Sequence, residues 1–153
     1  MIKGKVFDFV PMKPTPKGVS TNIYYAVFLE GVEVGYILLE NYDFKLGRAE
    51  IAYKVLKPFR NKGIATKMLK EFVDIVPQYF NLSFFDAKVR SENYSSCKVL
   101  EKAGFKERAS SNLLDEKRYY FLDTEEELME KNSEEFVETI DKAIEKLKAE
   151  EKW

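Results

Sequence analysis

Short runs rich in apolar, β-branched and aromatic residues, divided by turn-forming polar residues, occupy most of the first 55 positions of this chain, which is typical of β-strands. Glu30-Gly31 separates two of these runs as a tight-turn pair, so the runs on either side are expected to form a hairpin. The segment from 11 to 22 is rich in Pro, Lys, Gly and Thr, which indicates a loop. The predicted strands in this part are residues 2–10, 23–29, 32–40 and 49–55.

From Gly63 onward the apolar residues recur at helical spacing, until Pro77 ends the pattern. A second helix is expected between Asn93, a good N-cap residue, and Gly104, which suits the left-handed position after a helix. The other elements predicted here are a strand at 82–89 and a closing hairpin formed by residues 105–110 and 117–122.

The tail, residues 124–153, is predicted to be helical and amphipathic. Thr124 and Glu127 fit a capping box at its start, and Asn132-Ser133 marks a place where the helix is expected to be able to break in two. An acidic face lies opposite an apolar stripe. The stripe consists of Met129, Phe136, Ile140, Ile144 and Leu147.

Charge divides the chain at the same point. Residues 1–122 hold 20 Lys and Arg against 14 Asp and Glu, a net charge of +6, whereas residues 123–153 hold 5 Lys against 12 Asp and Glu, a net charge of −7. A basic body suits a ligand that carries phosphates. We therefore predict a ligand-binding domain at 1–122 and an acidic helical extension at 123–153, which packs on the domain or forms a contact in a homodimer.

Composition limits the chemistry. Histidine is absent, which excludes Ser-His-Asp and Cys-His pairs and a His-ligated metal. The single cysteine, Cys97, has no partner for an internal disulfide. No apolar run approaches the length of a membrane span and no signal peptide is evident, so a cytoplasmic protein without a membrane partner is expected. Nucleic acid is not expected as a partner, because no basic run interleaved with aromatic residues forms a known motif.

A strand, a glycine-containing turn and a helix N-terminus follow one another between residues 50 and 76. Free backbone N–H groups and the helix dipole make such a turn a phosphate site. Arg60 and Lys62 add positive charge beside it, and Gly63 lets a ligand approach the backbone closely. The glycine patterns of the P-loop and of dinucleotide-binding folds are both missing.

The pattern Arg60-x-x-Gly63-x-Ala65 resembles the acetyl-coenzyme A pyrophosphate loop of the GCN5-related N-acetyltransferases, the GNAT superfamily. A second stretch, from Asn93 to Phe105, is similar to a later motif of that family and stands at the right distance. The residues before the loop, Ile51-Ala52-Tyr53-Lys54-Val55, most resemble the ribosomal-protein N-terminal acetyltransferase subgroup. The resemblance implies an α/β (α+β) fold with a mixed, mostly antiparallel central sheet and helices on both faces; the chain adds its C-terminal amphipathic helix.

The resemblance also implies a function. The expected enzyme is an acetyl-CoA-dependent N-acetyltransferase that needs no metal and lets a primary amine, on a small molecule or a protein N-terminus, attack the acetyl group directly through a tetrahedral intermediate. The alternatives are a CoA-binding protein with weak or no catalysis and an interaction module that acts through its acidic tail. The residues expected to bind the cofactor are Val55, Leu56, Lys57, Arg60, Asn61, Lys62, Gly63, Ile64, Ala65, Thr66, Asn93 and Ser96.

The catalytic residues are less defined by the sequence. Glu50 is the leading candidate for the base, since apolar neighbours would raise its pKa; the alternative is a solvent-facing strand carboxylate. Many relatives carry a Tyr, the usual thiol-protonating residue, where this chain has Leu100. Tyr94 and Cys97, near the start of the same helix, are therefore the candidate acids. Weaker candidates for the base are Tyr53, Tyr36 and Glu40.

Overall fold

A computed structural model describes residues 1–12, 22–108 and 116–150 of the chain. They form two compact units, Met1–Leu122 and Asp123–Trp153. Among the described residues, no helix combines the length and the apolar character that crossing a bilayer requires.

The first unit is built on an eight-stranded sheet in the order β1-β2-β3-β4-β5-β6-β8-β7. The first five strands pair antiparallel in chain order, β5 and β6 are parallel, and β7 and β8 are antiparallel. The predicted mixed, mostly antiparallel sheet is thereby confirmed. The strands are β1 Ile2–Lys3, β2 Phe7–Pro11, β3 Ile23–Leu29, β4 Val32–Asp43, β5 Arg48–Val55, β6 Phe84–Arg90, β7 Lys106–Arg108 and β8 Lys117–Asp123.

Three α-helices accompany the strands in the described residues: α1 Ile64–Ile75, α2 Tyr94–Lys102 and α3 Thr124–Glu150. Two 3₁₀ turns, Lys57–Phe59 and Val76–Gln78, stand before and after α1. Pro77 lies in the second turn, and the regular helix ends just before it, as its missing N–H requires.

The first predicted strand is divided into β1 and β2 by a turn at Gly4. A Cβ at Gly4 would collide with the carboxylate of Glu71 on α1. That carboxylate accepts hydrogen bonds from the backbone N–H groups of Val6 (3.0 Å) and Phe7 (3.1 Å). The turn is thus held by a helix residue far away in sequence. The predicted hairpin at Glu30-Gly31 is confirmed, and residues 13–21 of the predicted loop lie outside the described residues.

The core lies between one face of the sheet and the helices α1 and α2. The ring of Phe72 on α1 meets Phe9 and Tyr25 edge-on, with centroids 5.1 and 5.3 Å apart. Strand register places Tyr25, Ile37 and Tyr53 side by side on that face. The hydroxyl of Tyr53 also bonds to the Ser96 carbonyl on α2, so α2 packs beside β5 on this face.

The second unit is the single helix α3. It continues through Asn132-Ser133, so the predicted break is not present. Its first turn is capped by Asp123, whose carboxylate accepts from the N–H groups of Glu125 (3.1 Å) and Glu126 (3.2 Å). The predicted capping box of Thr124 and Glu127 involves a side chain outside those that the structure describes.

Candidate functional site

The parallel strands β5 and β6 separate part of the way along their length. Their ladder consists of three pairs and ends at Glu50 opposite Asp86, although β5 runs on to Val55 and β6 to Arg90. On its other side β5 stays paired with β4 as far as Val55. The backbone of β5 that faces β6 beyond Glu50 therefore has no ladder partner among the described residues, and a gap opens between the strands.

Register shows which backbone groups face this gap. The N–H of Leu56 donates to the carbonyl of Val34 on β4 at 2.8 Å. Backbone groups of successive strand residues point to alternate sides, so those of Tyr53 and Val55 point toward β6. The Val55 carbonyl accepts a hydrogen bond from Arg60 Nε at 3.0 Å, which fixes the loop against the end of the strand.

The loop between β5 and α1 turns its amides toward the same region. Asn61 and Gly63 both adopt left-handed backbone conformations, with φ of 64° and 75°. Gly63 is the N-cap of α1 and provides no side-chain cap. The N–H groups of the first turn, Ile64 to Thr66, therefore lack both an intrahelical acceptor and a side-chain cap, and they carry the positive end of the helix dipole.

The start of α2 forms the facing wall. Asn93 caps it as predicted, since its Oδ1 accepts from the N–H of Ser96 at 3.2 Å. The carbonyl of Ser96 in turn accepts from the hydroxyl of Tyr53 at 3.3 Å. This bond holds the first turn of α2 against the middle of β5, beside the gap.

These elements enclose a pocket of about 560 Å³, within the usual size range of ligand sites. All residues predicted to bind the cofactor line it except Leu56, Lys57 and Lys62. The complete lining is Tyr53, Lys54, Val55, Phe59, Arg60, Asn61, Gly63, Ile64, Ala65, Thr66, Asn93, Ser95, Ser96 and Val99.

The lining suits an elongated ligand that carries phosphates. A Cβ added at Gly63 meets no protein atom within 4 Å, so this glycine borders open space and leaves the backbone accessible. Uncapped amides and the guanidinium of Arg60 stand at that end. Freed strand backbone follows along the gap, where it can bond to the amides of an extended arm. Acetyl-CoA has this combination of groups.

Glu50 is not part of the pocket lining. It lies on the other face of β5, at the closed end of the gap, with its side chain 32% exposed, and pairs with Lys88 Nζ at 3.2 Å. This hydrogen bond to Glu50 raises the pKa of Lys88. The residues next to Glu50 in the sequence suggested apolar surroundings. The structure places the charged Lys88 beside it, because Lys88 lies on the neighbouring strand β6 and is distant in sequence.

The two candidate acids also lie apart from the pocket lining. Tyr94 is 69% exposed at the start of α2, and Cys97 is buried in the core beside Leu100. The structure instead brings Tyr53 into the lining, together with Phe59, Ser95 and Val99. Burial raises the pKa of Tyr53, and the nearby Cys97 thiol adds to this, while the bond to Ser96 opposes it. Strand alternation, which places Tyr53 on the face of Ile51 and Val55, was the signal for its position.

Comparison with known proteins agrees with this geometry. The sequence profile of the acetyltransferase (GNAT) domain matches residues 12–106. No curated protein matches the chain by sequence. Because the profile covers more than half of the chain, the chain belongs to the GNAT acetyltransferase family.

Solved structures of this fold include several acetyltransferases. RimL, the ribosomal L7/L12 alpha-N-protein acetyltransferase in complex with coenzyme A, is 17% identical with a TM-score of 0.58, over 67% of this chain and 63% of that chain. RimJ from Mycobacterium smegmatis, in complex with a CoA-disulfide, is 26% identical with a TM-score of 0.60, over 69% of this chain and 54% of that chain. A dodecameric spermidine N-acetyltransferase from Vibrio cholerae is 16% identical with a TM-score of 0.61, over 70% and 67% of the two chains. This chain thus spans less than two-thirds of RimL and RimJ.

Proposed function

We propose that this protein is an N-acetyltransferase that moves the acetyl group of acetyl-CoA to a primary amine. The observation that carries the proposal is the gap between β5 and β6, which leads to the uncapped start of α1 within one pocket. Membership of the GNAT family and the CoA bound in RimL and RimJ support the same ligand.

In this proposal the pyrophosphate binds to the amides of Gly63 to Thr66 and to the guanidinium of Arg60. The extended arm then follows the freed edge of β5, where Tyr53 offers its N–H and carbonyl and Val55 its N–H, since the Val55 carbonyl already accepts from Arg60. The N–H of Leu56 is used by Val34 and does not contribute a donor. Asn93 and Ser96 border the arm from the side of α2.

In this proposal the amine approaches from the face of the sheet opposite α1 and α2. Glu50 lies on that face at the closed end of the gap, so it remains the proposed base despite its pairing with Lys88. The amine nitrogen attacks the carbonyl carbon through a tetrahedral intermediate, and its proton must be removed during the attack. A backbone N–H aimed at the oxyanion would stabilise that intermediate.

The acceptor class is a primary amine, on a small molecule or at a protein N-terminus. Both kinds occur in the names of the structural neighbours, spermidine in one and a ribosomal protein in another. The test is release of free thiol from acetyl-CoA in the presence of a panel of polyamines, amino sugars and peptides. Amine-dependent release of thiol with a matching acetylated product supports the proposal. Binding of acetyl-CoA without release of thiol with any acceptor supports the alternative, a CoA-binding protein with weak or no catalysis.

A second candidate function rests on α3, which presents apolar residues to solvent. Met129, Val137 and Leu147 are each more than half exposed, and Ile140 and Ile144 more than 40% exposed. We propose that this acidic extension forms a protein contact, with a homodimer as the simplest form. Ile140→Asp together with Ile144→Asp, in the full chain, should lower the molar mass measured by light scattering if α3 joins two copies; an unchanged mass argues against the dimer.

A further inference from the structure

If acetyl transfer occurs in this pocket, the sulfur that leaves must gain a proton, or at least a hydrogen bond, as the carbon–sulfur bond breaks. The donor must therefore be a side chain of the pocket lining. Arg60 cannot be deprotonated in proteins, and Lys54 alternates to the exposed face of β5. Tyr53 is the remaining titratable side chain in the lining.

We infer that the hydroxyl of Tyr53 donates the proton to the departing sulfur of CoA. This inference rests on the proposed function and adds a catalytic residue to it. Of the β5 residues that line the pocket, Tyr53 is the one nearest the closed end of the gap. Phosphates held at the start of α1 direct the thioester end of an extended arm toward that end, because the arm runs from Val55 past Tyr53 toward Glu50.

The geometry of the hydroxyl suits a donor. Its proton points to the Ser96 carbonyl across 3.3 Å, a long contact that a nearer acceptor can replace by rotation about the C–O bond. The ring is packed against the core, so the position of the oxygen is fixed. Because burial raises the pKa of Tyr53, the hydroxyl stays protonated throughout the neutral range.

The same position accounts for Leu100. Helix side chains lean toward the helix N-terminus, so residue 100 covers the turn that contains Ser96. The Tyr53 hydroxyl already stands at that turn. Tyr53 on β5 thus supplies a hydroxyl at the place where a tyrosine at position 100 of α2 would put one. Leu100 packs in the core, where it is fully buried.

The proton balance closes without another reactant. The nitrogen–carbon bond forms, and the carbon–sulfur bond breaks with its electron pair moving to sulfur. The Tyr53 hydroxyl gives its proton to sulfur, and the tyrosinate regains one from the proton shed by the amine nitrogen, through water. The products are the N-acetyl amine, free CoA thiol and the original tyrosine.

The test compares Tyr53→Phe with Tyr94→Phe and with the control Tyr79→Phe, all in the whole chain. Tyr53→Phe should lower kcat by about 100-fold or more, the usual contribution of a positioned acid, with acetyl-CoA affinity by calorimetry changed less than about threefold. It should also remove the alkaline limb of the kcat–pH profile. The control Tyr79→Phe, which alters an exposed ring outside the pocket lining, should leave all three unchanged.

Three results would overturn the inference while leaving the proposed function intact. These are wild-type kcat in Tyr53→Phe, a reduced kcat with the alkaline limb retained, and loss of kcat in Tyr94→Phe instead. Wild-type protein that binds acetyl-CoA but acetylates no amine would overturn the proposed function and this inference together.

Discussion

The substitution Gly63→Val distinguishes an effect on acetyl-CoA binding from an effect on the stability of the fold. Gly63 has φ of 75°, a conformation that costs a residue with a Cβ about 1–2 kcal/mol. No protein atom lies within 4 Å of the added Cβ, so no clash adds to this cost. In a domain of this size the melting temperature should fall by about 3–12 °C. The valine side chain enters the space beside the α1 amides and should displace the pyrophosphate from at least one charged hydrogen bond, worth about 1.5–3 kcal/mol.

The chain offers a matched control in Gly31→Val. Gly31 has φ of 80° and likewise has no neighbour within 4 Å of an added Cβ, but it lies in the β3–β4 turn and not in the pocket lining. Both variants should lose similar stability, and calorimetric titration with acetyl-CoA should show about 10- to 100-fold weaker binding for Gly63→Val alone. Equal affinity in the two variants would refute the placement of the pyrophosphate at α1.

Three further predictions concern charge, packing and pH. Arg60→Ala should weaken acetyl-CoA binding about tenfold at low salt, more than Lys62→Ala does, because only Arg60 lines the pocket; equal losses in titrations would contradict this. Phe72→Ala should lower the free energy of unfolding by about 3–5 kcal/mol in urea titrations, and a loss below 1 kcal/mol would contradict the packing described. Burial raises the pKa of Tyr120 above its value in the unfolded chain. The stability that this shift contributes is complete below about pH 10 and is lost as the pH rises further. Tyr120→Phe should therefore reduce the loss of stability between about pH 9 and 11, whereas the exposed Tyr79→Phe should not.

Local signals in the sequence predicted most elements of the fold. Strand β3 has the predicted ends, because the segment rich in Pro, Lys, Gly and Thr lies before it and the Glu30-Gly31 turn follows it. Asn93 was recognisable as an N-cap, since its role depends on neighbours within one turn. Residues of the turn between β5 and α1 were recognisable for the same reason, and most of those predicted for the cofactor line the pocket.

The features that the sequence did not predict depend on partners far along the chain. Gly4 makes a turn because Glu71 approaches it, and Glu50 has a charged environment because Lys88 lies on the neighbouring strand. Strand alternation indicates the face on which Tyr53 lies, but its bond to Ser96 depends on the packing of α2 beside β5. The cap that Asp123 provides at the start of α3 was not predicted, because the neighbouring Thr124 is also a good capping residue.

The most direct test of the account is backbone-amide NMR of the 153-residue chain titrated with acetyl-CoA. We predict the largest shifts at the amides of Gly63 to Thr66, with further shifts at Tyr53, Val55 and Ser96 along the gap. Saturating shifts confined to another surface, such as the groove of about 450 Å³ beside Lys5 and Lys70, or no shifts at millimolar ligand, would contradict the claim that the gap between β5 and β6 is the acetyl-CoA site.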